Sequence, residues 1–241
     1  MTDGTYGPAG QVTPNSNTGE FEIYNALNQL LGNSYTNNAS YNNLEYTGDA
    51  STWQALGSNG GYAVIGLGAG ATNTFVTYNV NTPNTLISPL GGGFTGDGSL
   101  NPYYGTQLVF PTGTQFGFGL SQNFNNVVTN WYSNPNLNSD GMDHMLVYNL
   151  SSLAGTTLNI YDPTTQTYQV ATLQDPYFLA FEDTTIGNGT NGYPSDTDYN
   201  DLMVLVDGVA PVPEPMTVAL FAFGLLAVAV FGLRRKFAVV A

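Results

Sequence analysis

From Gly60 onward the chain alternates short runs of apolar, β-branched and aromatic residues with breaks of Gly, Pro and Asn: YAVIGL, NTFVTYNV, NTLIS, QLVFP, QFGFGL, DHMLVYNL, TLNIYD, TYQVATL, YFLAFE and DLMVLV. Short runs of this kind at close, regular spacing are the pattern of strands in stacked antiparallel sheets. They predict an all-β domain, an antiparallel β-sandwich or jelly-roll-like fold. Ahead of them, residues 20–31 read EFEIYNALNQLL and bring Phe21, Tyr24, Leu27, Leu30 and Leu31 to one helical face. Asn17 or Thr18 is the expected N-cap and Gly32 the stop, so a short amphipathic helix leads into the sheet.

The hydrophobic pattern changes again at the C-terminus. Residues 216–233, MTVALFAFGLLAVAVFGL, contain no charge and no polar stripe. As a helix they span about 27 Å, close to the hydrocarbon thickness of a bilayer, and a buried core helix would show a polar side. A transmembrane helix is therefore expected. Arg234, Arg235 and Lys236 follow at once and act as a membrane stop, which predicts an N-out, C-in orientation. Residues 209–215, VAPVPEP, cannot pair as a central strand and read as a Pro-rich spacer. The expected organisation is residues 1–19 as a truncated or flexible N-terminal segment, 20–208 as the β domain with its helical lead, 209–215 as spacer and 212–241 as a C-terminal signal. An N-out chain needs an export signal, and MTDGTYGPAG has neither a basic start nor an apolar stretch, so the biological N-terminus is expected to lie elsewhere.

Charge sharpens the picture. Only 8% of residues are charged, against roughly 25% in an ordinary soluble protein. The three cations are Arg234, Arg235 and Lys236, so residues 1–233 carry all seventeen carboxylates and no Lys or Arg. Nucleic acid and anionic lipid surfaces need basic side chains and are excluded as partners of that region. Lysine Schiff-base chemistry, a P-loop lysine and arginine clamps are excluded with them. Clustered carboxylates without counter-charges are neutralised by protonation, hydrogen-bond donors or a bound metal, and near neutral pH this favours calcium. Cysteine is absent, so no disulfide or thiolate chemistry operates.

Three motifs carry possible chemistry. Gly66-Leu-Gly-Ala-Gly-Ala71 formally fits a dinucleotide fingerprint, but the strand-like residues after it supply no helix N-terminus for a pyrophosphate, so a glycine-rich β turn is expected and no nucleotide. No G-x-S-x-G occurs and His144 is the single histidine, while Glu20, Glu22, Glu45 and Glu182 have no sequence relation that sets a hydrolytic pair. The expectation is no enzyme. The strongest constellation runs from Phe181 to Leu202. Asp196, Asp198 and Asn200 alternate like the first half of an EF-hand loop, yet Asp201 stands where that loop needs Gly, and a strand after it would carry Asp207 away. A β-sandwich calcium loop fits better: Glu182 and Asp183 end one strand, and Asp196, Asp198, Asn200 and Asp201 enter the next. The competing reading is a polar hairpin whose Asx side chains cap the backbone. Asp143 and His144, at the start of another strand, are expected to orient these ligands through hydrogen bonds.

Val212, Pro213, Glu214 and Pro215, the apolar span and the terminal RRK together closely resemble the PEP-CTERM sorting signal of exosortase substrates, found in Gram-negative bacteria that make extracellular polysaccharide. The segments DGMDHMLVY and LAFEDT…SDTDYNDLMVLV, and more loosely IYNALNQLLGNSYT, resemble a β-rich domain of unknown function that often precedes such signals. The resemblance implies a calcium-type site at Glu182, Asp183, Asp196, Asp198, Asn200 and Asp201. It also implies an inner-membrane precursor, cleavage by exosortase near Pro213 to Pro215, and a product at the outer surface or in the extracellular matrix. A structural or adhesive role is the leading expectation, with extracellular polysaccharide as a further partner. The alternatives are a calcium-dependent carbohydrate-binding module using Trp53 and Trp131 as sugar platforms, and a secreted carboxylate-dependent hydrolase.

Overall fold

A computed structural model describes residues 21–32, 35, 42–48, 50–57, 60–90, 92–108, 114–162, 165–186 and 198–212. Helix α1 (Ile23–Leu31) precedes twelve strands: β1 (Trp53–Ala55), β2 (Gly60–Asn79), β3 (Thr82–Ile87), β4 (Phe94–Leu108), β5 (Gln115–Phe124), β6 (Val127–Tyr132), β7 (Met145–Asn149), β8 (Thr157–Asp162), β9 (Thr167–Thr172), β10 (Tyr177–Phe181), β11 (Leu202–Asp207) and β12 (Val209–Pro211). The protein is thus mostly β with one short helix among the described residues. All twelve strands belong to one hydrogen-bonded network. The network is mixed: β4 and β8 pair in parallel through Tyr103 and Tyr104, where the run pattern predicts only antiparallel neighbours. Strand spacing carries no information on that pairing, because β5, β6 and β7 intervene between the two strands.

The organising element is β2. Its residues 60–69 pair with β4, which also meets Asn73 through Phe94; residues 61–66 pair with β11 as well, and residues 72–78 pair with β5. Tyr62 and Phe75 would stand ~43 Å apart on a straight strand, yet their ring centroids are 5.2 Å apart. The strand therefore folds over itself. The bend falls at the Gly66–Ala71 run, where missing side chains let other groups come close: a Cβ at Gly66 would lie 2.4 Å from the Phe21 ring, and one at Gly68 would lie 2.5 Å from Asn200 Oδ1. The fingerprint-like glycines thus belong to a strand bend, with no helix after them.

The bend sets two layers face to face. In the first, β7, β10, β11 and the start of β2 lie side by side; in the second, the end of β2 joins β3 and β5, with β1, β6 and β12 beyond. One core cluster fills the space between them, built from Trp53, Tyr62, Phe75, Phe118, Phe181, Val204 and their neighbours. A second cluster lies on the other face of the first layer, where Ile23, Ala26, Leu27 and Leu30 of α1 meet Ala63, Leu146, Phe178, Met203 and Leu205. Leu202, Val204 and Val206 of β11 face the first cluster, and Met203 and Leu205 the second. Burial on both faces explains why YFLAF and LMVLV are continuous apolar runs without alternation.

The helix starts later than the residue pattern predicts. Glu22 takes the N-cap position, its backbone N–H donating to Asn25 Oδ1 at 3.0 Å, while Asn17 and Thr18 lie outside the described residues. Gly32 ends the helix as expected, at φ 64° with its N–H on Asn28 O at 2.9 Å. At the other end, Val209–Pro211 is a strand where a spacer is predicted. It pairs with β1, and Val212 N donates to Thr52 O at 2.8 Å. Proline is tolerated there because β12 lies at an edge. The N-terminal segment 1–19, Pro213, Glu214, Pro215, the apolar segment 216–233, Arg234, Arg235 and Lys236 lie outside the described residues. No helix among the described residues is long and apolar enough to cross a membrane.

Because α1 covers the first layer through a few fully buried side chains, Leu27→Ala is expected to lower unfolding free energy by about 2–5 kcal/mol, read from urea denaturation. A loss below about 1 kcal/mol would contradict the docking of α1.

Candidate metal centre

The pairing of Phe181 with Leu202 aligns the end of β10 with the start of β11. Adjacent strands run about 4.8 Å apart, so Glu182 and Asp183, leaving one strand, stand beside Asp201, entering the next. One carboxylate oxygen from each of Glu182, Asp183 and Asp201 lies within 4.8 Å of the others. Glu182 and Asp183 are buried and Asp201 is partly so. Burial, followed by the negative charges of Glu182 and Asp183, pushes the Asp201 carboxyl well above the usual range; the Asp183 N–H pulls the other way, and Asp198 adds a further upward push. Two oxygens bound to one ion at about 2.4 Å stand no more than about 4.8 Å apart, so this spacing suits ligands of a shared ion. An all-oxygen, anionic set with no Lys or Arg among the described residues fits a hard divalent cation.

Backbone N–H groups and the Thr184 hydroxyl reach these carboxylates, and ring donors reach the main-chain carbonyls beside them. Asp183 N donates to Asp201 Oδ2 at 2.7 Å, and Thr184 donates to Glu182 Oε1 through Oγ1 at 2.6 Å and N at 3.3 Å. Trp131 Nε1 donates to Asp183 O at 2.7 Å, and its indole stacks on the His144 ring at 3.8 Å and 13°. His144 is fully buried. Its Nδ1 meets Glu182 O and its Nε2 meets Asp140 Oδ2, each at 2.9 Å; both partners are acceptors, so both ring nitrogens are placed to donate. Burial alone would raise the Asp140 carboxyl, but the His144 hydrogen bond, the Met142 N–H, the His144 charge and the Ile186 N–H together hold it at about 2.

Of the six residues expected as ligands, Glu182, Asp183 and Asp201 come together as a cluster. Asp198 is buried close enough for its charge to reach Asp201, and its Oδ1 accepts the Asn200 N–H at 3.2 Å, an Asx cap within the same loop. Asn200 is buried with its amide over Gly68. Asp196 lies outside the described residues. An Asx cap and an acidic cluster thus lie in one loop. Asp143 and His144 both fall beside the cluster: Asp143 Oδ1 accepts Met145 N at 3.1 Å, and its carbonyl accepts the Tyr199 hydroxyl at 2.9 Å. Tyr199 is buried at φ 56°, a left-handed conformation for a bulky residue, and its phenol ties the loop that carries Asp198 and Asn200 to Asp143. Asp207 ends β11 far from the cluster, as the EF-hand comparison anticipates.

Sequence reasoning missed Asn73, Trp131, Asp140 and Tyr199. Asn73, on β2, donates through Nδ2 to Asp183 Oδ2 at 2.7 Å and to Asp201 O at 3.4 Å. Only Asp140 carried a local signal, its four-residue spacing from His144. Trp53 and Trp131 are both buried, with Nε1 of Trp53 on Ala50 O at 2.7 Å, so neither ring is offered to a sugar. Of the proposed hydrolytic carboxylates, Glu22 begins α1, Glu45 sits in a bridge with Tyr148, Glu182 belongs to the cluster and Glu20 lies outside the described residues.

Residues 110–209 match the model of a domain of unknown function, DUF4114. That stretch holds β5 to β11 and every carboxylate of the cluster, while α1 and β1 to β4 fall before it. No curated protein matches the chain.

Gly68→Ala drives a methyl into the Asn200 amide and is expected to cost about 1–3 kcal/mol by urea denaturation; an unchanged midpoint would contradict the close contact. Asp140 titrates below its ordinary value of 3.8, so its contribution to stability is complete above that value and fades as pH falls toward about 2. The stability gap between wild type and Asp140→Asn should therefore narrow as pH falls from about 4 toward about 2. A gap independent of pH would contradict the pairing.

Proposed function

We propose that this chain is an exported, surface-sorted structural or adhesive protein of the extracellular matrix whose β domain is stabilised by calcium. The observation that carries the reading is the convergence of Glu182, Asp183 and Asp201 within 4.8 Å in a region without Lys or Arg. Calcium suits a cage of carboxylate and amide oxygens with loose geometry, whereas magnesium keeps several waters and zinc prefers nitrogen and sulfur. We read the two layers as a β-sandwich of jelly-roll type. Residues 216–233, with Arg234, Arg235 and Lys236 behind them, hold the precursor N-out in the inner membrane. Exosortase then cuts near Pro213 to Pro215, next to the strand that closes the domain at Pro211.

A carbohydrate-binding module is the second reading. A cavity of about 320 Å³ lined by Tyr62, Thr106, Gln169, Thr172, Gln174 and Asp207 offers hydroxyl, amide and carboxylate groups and no cation, a set suited to a neutral sugar. It opens beside the far end of β11, ~20 Å from the acidic cluster, so calcium would support such binding through the fold and not by touching the sugar.

The full-length chain in detergent should melt at a higher temperature with calcium than with chelator. An ion that binds only the folded state, at a hundredfold excess over its dissociation constant, adds about 2.7 kcal/mol; identical melting and no retained calcium by elemental analysis would sink the reading. Sorting has a separate test. In an exosortase-proficient host, mass spectrometry should find the mature C-terminus at or before Pro215, and an intact RRK tail would count against processing.

A further inference from the structure

Asn73 is a buried side chain that the acidic cluster uses on one side only. It is fully buried, and its Nδ2 has two acceptors, Asp183 Oδ2 at 2.7 Å and Asp201 O at 3.4 Å. These fix the direction of the amide, because reversing it would set a carbonyl oxygen against two others. Its Oδ1 is then a buried acceptor with no hydrogen-bond partner among the described residues, a position that proteins rarely leave unfilled. Amide geometry puts Oδ1 about 2.3 Å from Nδ2, and so no more than about 5 Å from Asp183 Oδ2. That is the span across the oxygen shell of a calcium ion.

We propose that Asn73 Oδ1 is a neutral ligand of the cation held by Glu182, Asp183 and Asp201, so that the site is closed by β2. The assignment rests on the calcium reading above and extends it to a strand outside the stretch that matches the domain model. One side chain then serves both charges: Nδ2 donates to a ligand carboxylate while Oδ1 faces the ion. A neutral oxygen completes the shell without adding a fourth negative charge to a crowded site. It also ties the ion to the second half of β2, just past its glycine bend, so that binding clamps the two layers where β2 crosses between them.

Terbium(III) takes the same oxygen ligands as calcium, and the Trp131 indole, bonded to Asp183 O, is placed to sensitise its luminescence. Lifetimes in light and heavy water count the waters left on the ion in the full-length chain. Asn73→Ala is expected to gain one bound water and to weaken binding on the order of tenfold. Asn73→Asp keeps an oxygen toward the ion and loses the donor to Asp183; it should keep the wild-type water count, and it decides the matter should the alanine variant not fold. Binding weakened alike in both variants, with the water count unmoved, would make Asn73 a hydrogen-bond donor only and overturn the assignment. Absence of terbium binding by the wild type would instead overturn the calcium reading, and the ligand with it.

Discussion

Burying carboxylates in a fold that owns no Lys or Arg is the constraint on which the rest of the structure depends. Isolated acids meet it with dipoles. Asp140 is held low by His144 and two backbone N–H groups. Asp207 accepts from Gln174 N and Asp175 N at 2.9 and 2.8 Å, although burial still pushes its carboxyl upward. Asp162 takes the Gln169 amide at 3.0 Å. Such donors hold Asp140 low and only offset part of the burial of Asp207. Where β10 and β11 bring Glu182, Asp183 and Asp201 together, each added carboxylate raises the cost of ionising the next, and hydrogen bonds alone do not reverse the upward push on Asp201. A proton or a divalent cation is what remains.

The fold makes that crowding unavoidable. β10 and β11 are buried on both faces, so their register is set by two cores at once and a one-residue slip would turn apolar side chains out of both. Locking Phe181 against Leu202 locks the acids that follow and precede them. The bend of β2 then carries Asn73 over the same strand ends, and the stacked Trp131 and His144 bond the main-chain carbonyls of Asp183 and Glu182. The site is therefore a consequence of how two layers are joined by one strand, and the stretch from β5 to β11 does not enclose it alone.

Much of this was legible in the sequence, and the limits are physical. Apolar runs located most of the strands, because burial leaves its mark residue by residue. VVTNWY, WQA, VAP and most of β4 escaped notice: β6 is mostly exposed along its first half, β4 is rich in Gly, Asp and Asn that read as a loop, and β1 and β12 are three-residue strands made by their partners more than by their own residues. The E-D and D-x-D-Y-N-D elements marked the acidic cluster because like charges without counterions are unusual at any distance. Asn73 left no such mark. A polar residue inside NTFVTYNV reads as an outward strand position, and only its contacts with residues 110 and 128 positions later give it meaning. The parallel contact of β4 with β8 was hidden for the same reason, since chain separation erases local pattern.

The central claim, that a divalent cation resolves the buried charge, is tested most directly by a crystal structure of the protein grown with calcium, using anomalous scattering to locate the ion. The account predicts one strong peak about 2.3–2.6 Å from an oxygen of each of Glu182, Asp183 and Asp201. No peak, with two of these carboxylates joined by a short oxygen-to-oxygen hydrogen bond, would mean that a shared proton resolves the charge and would contradict it.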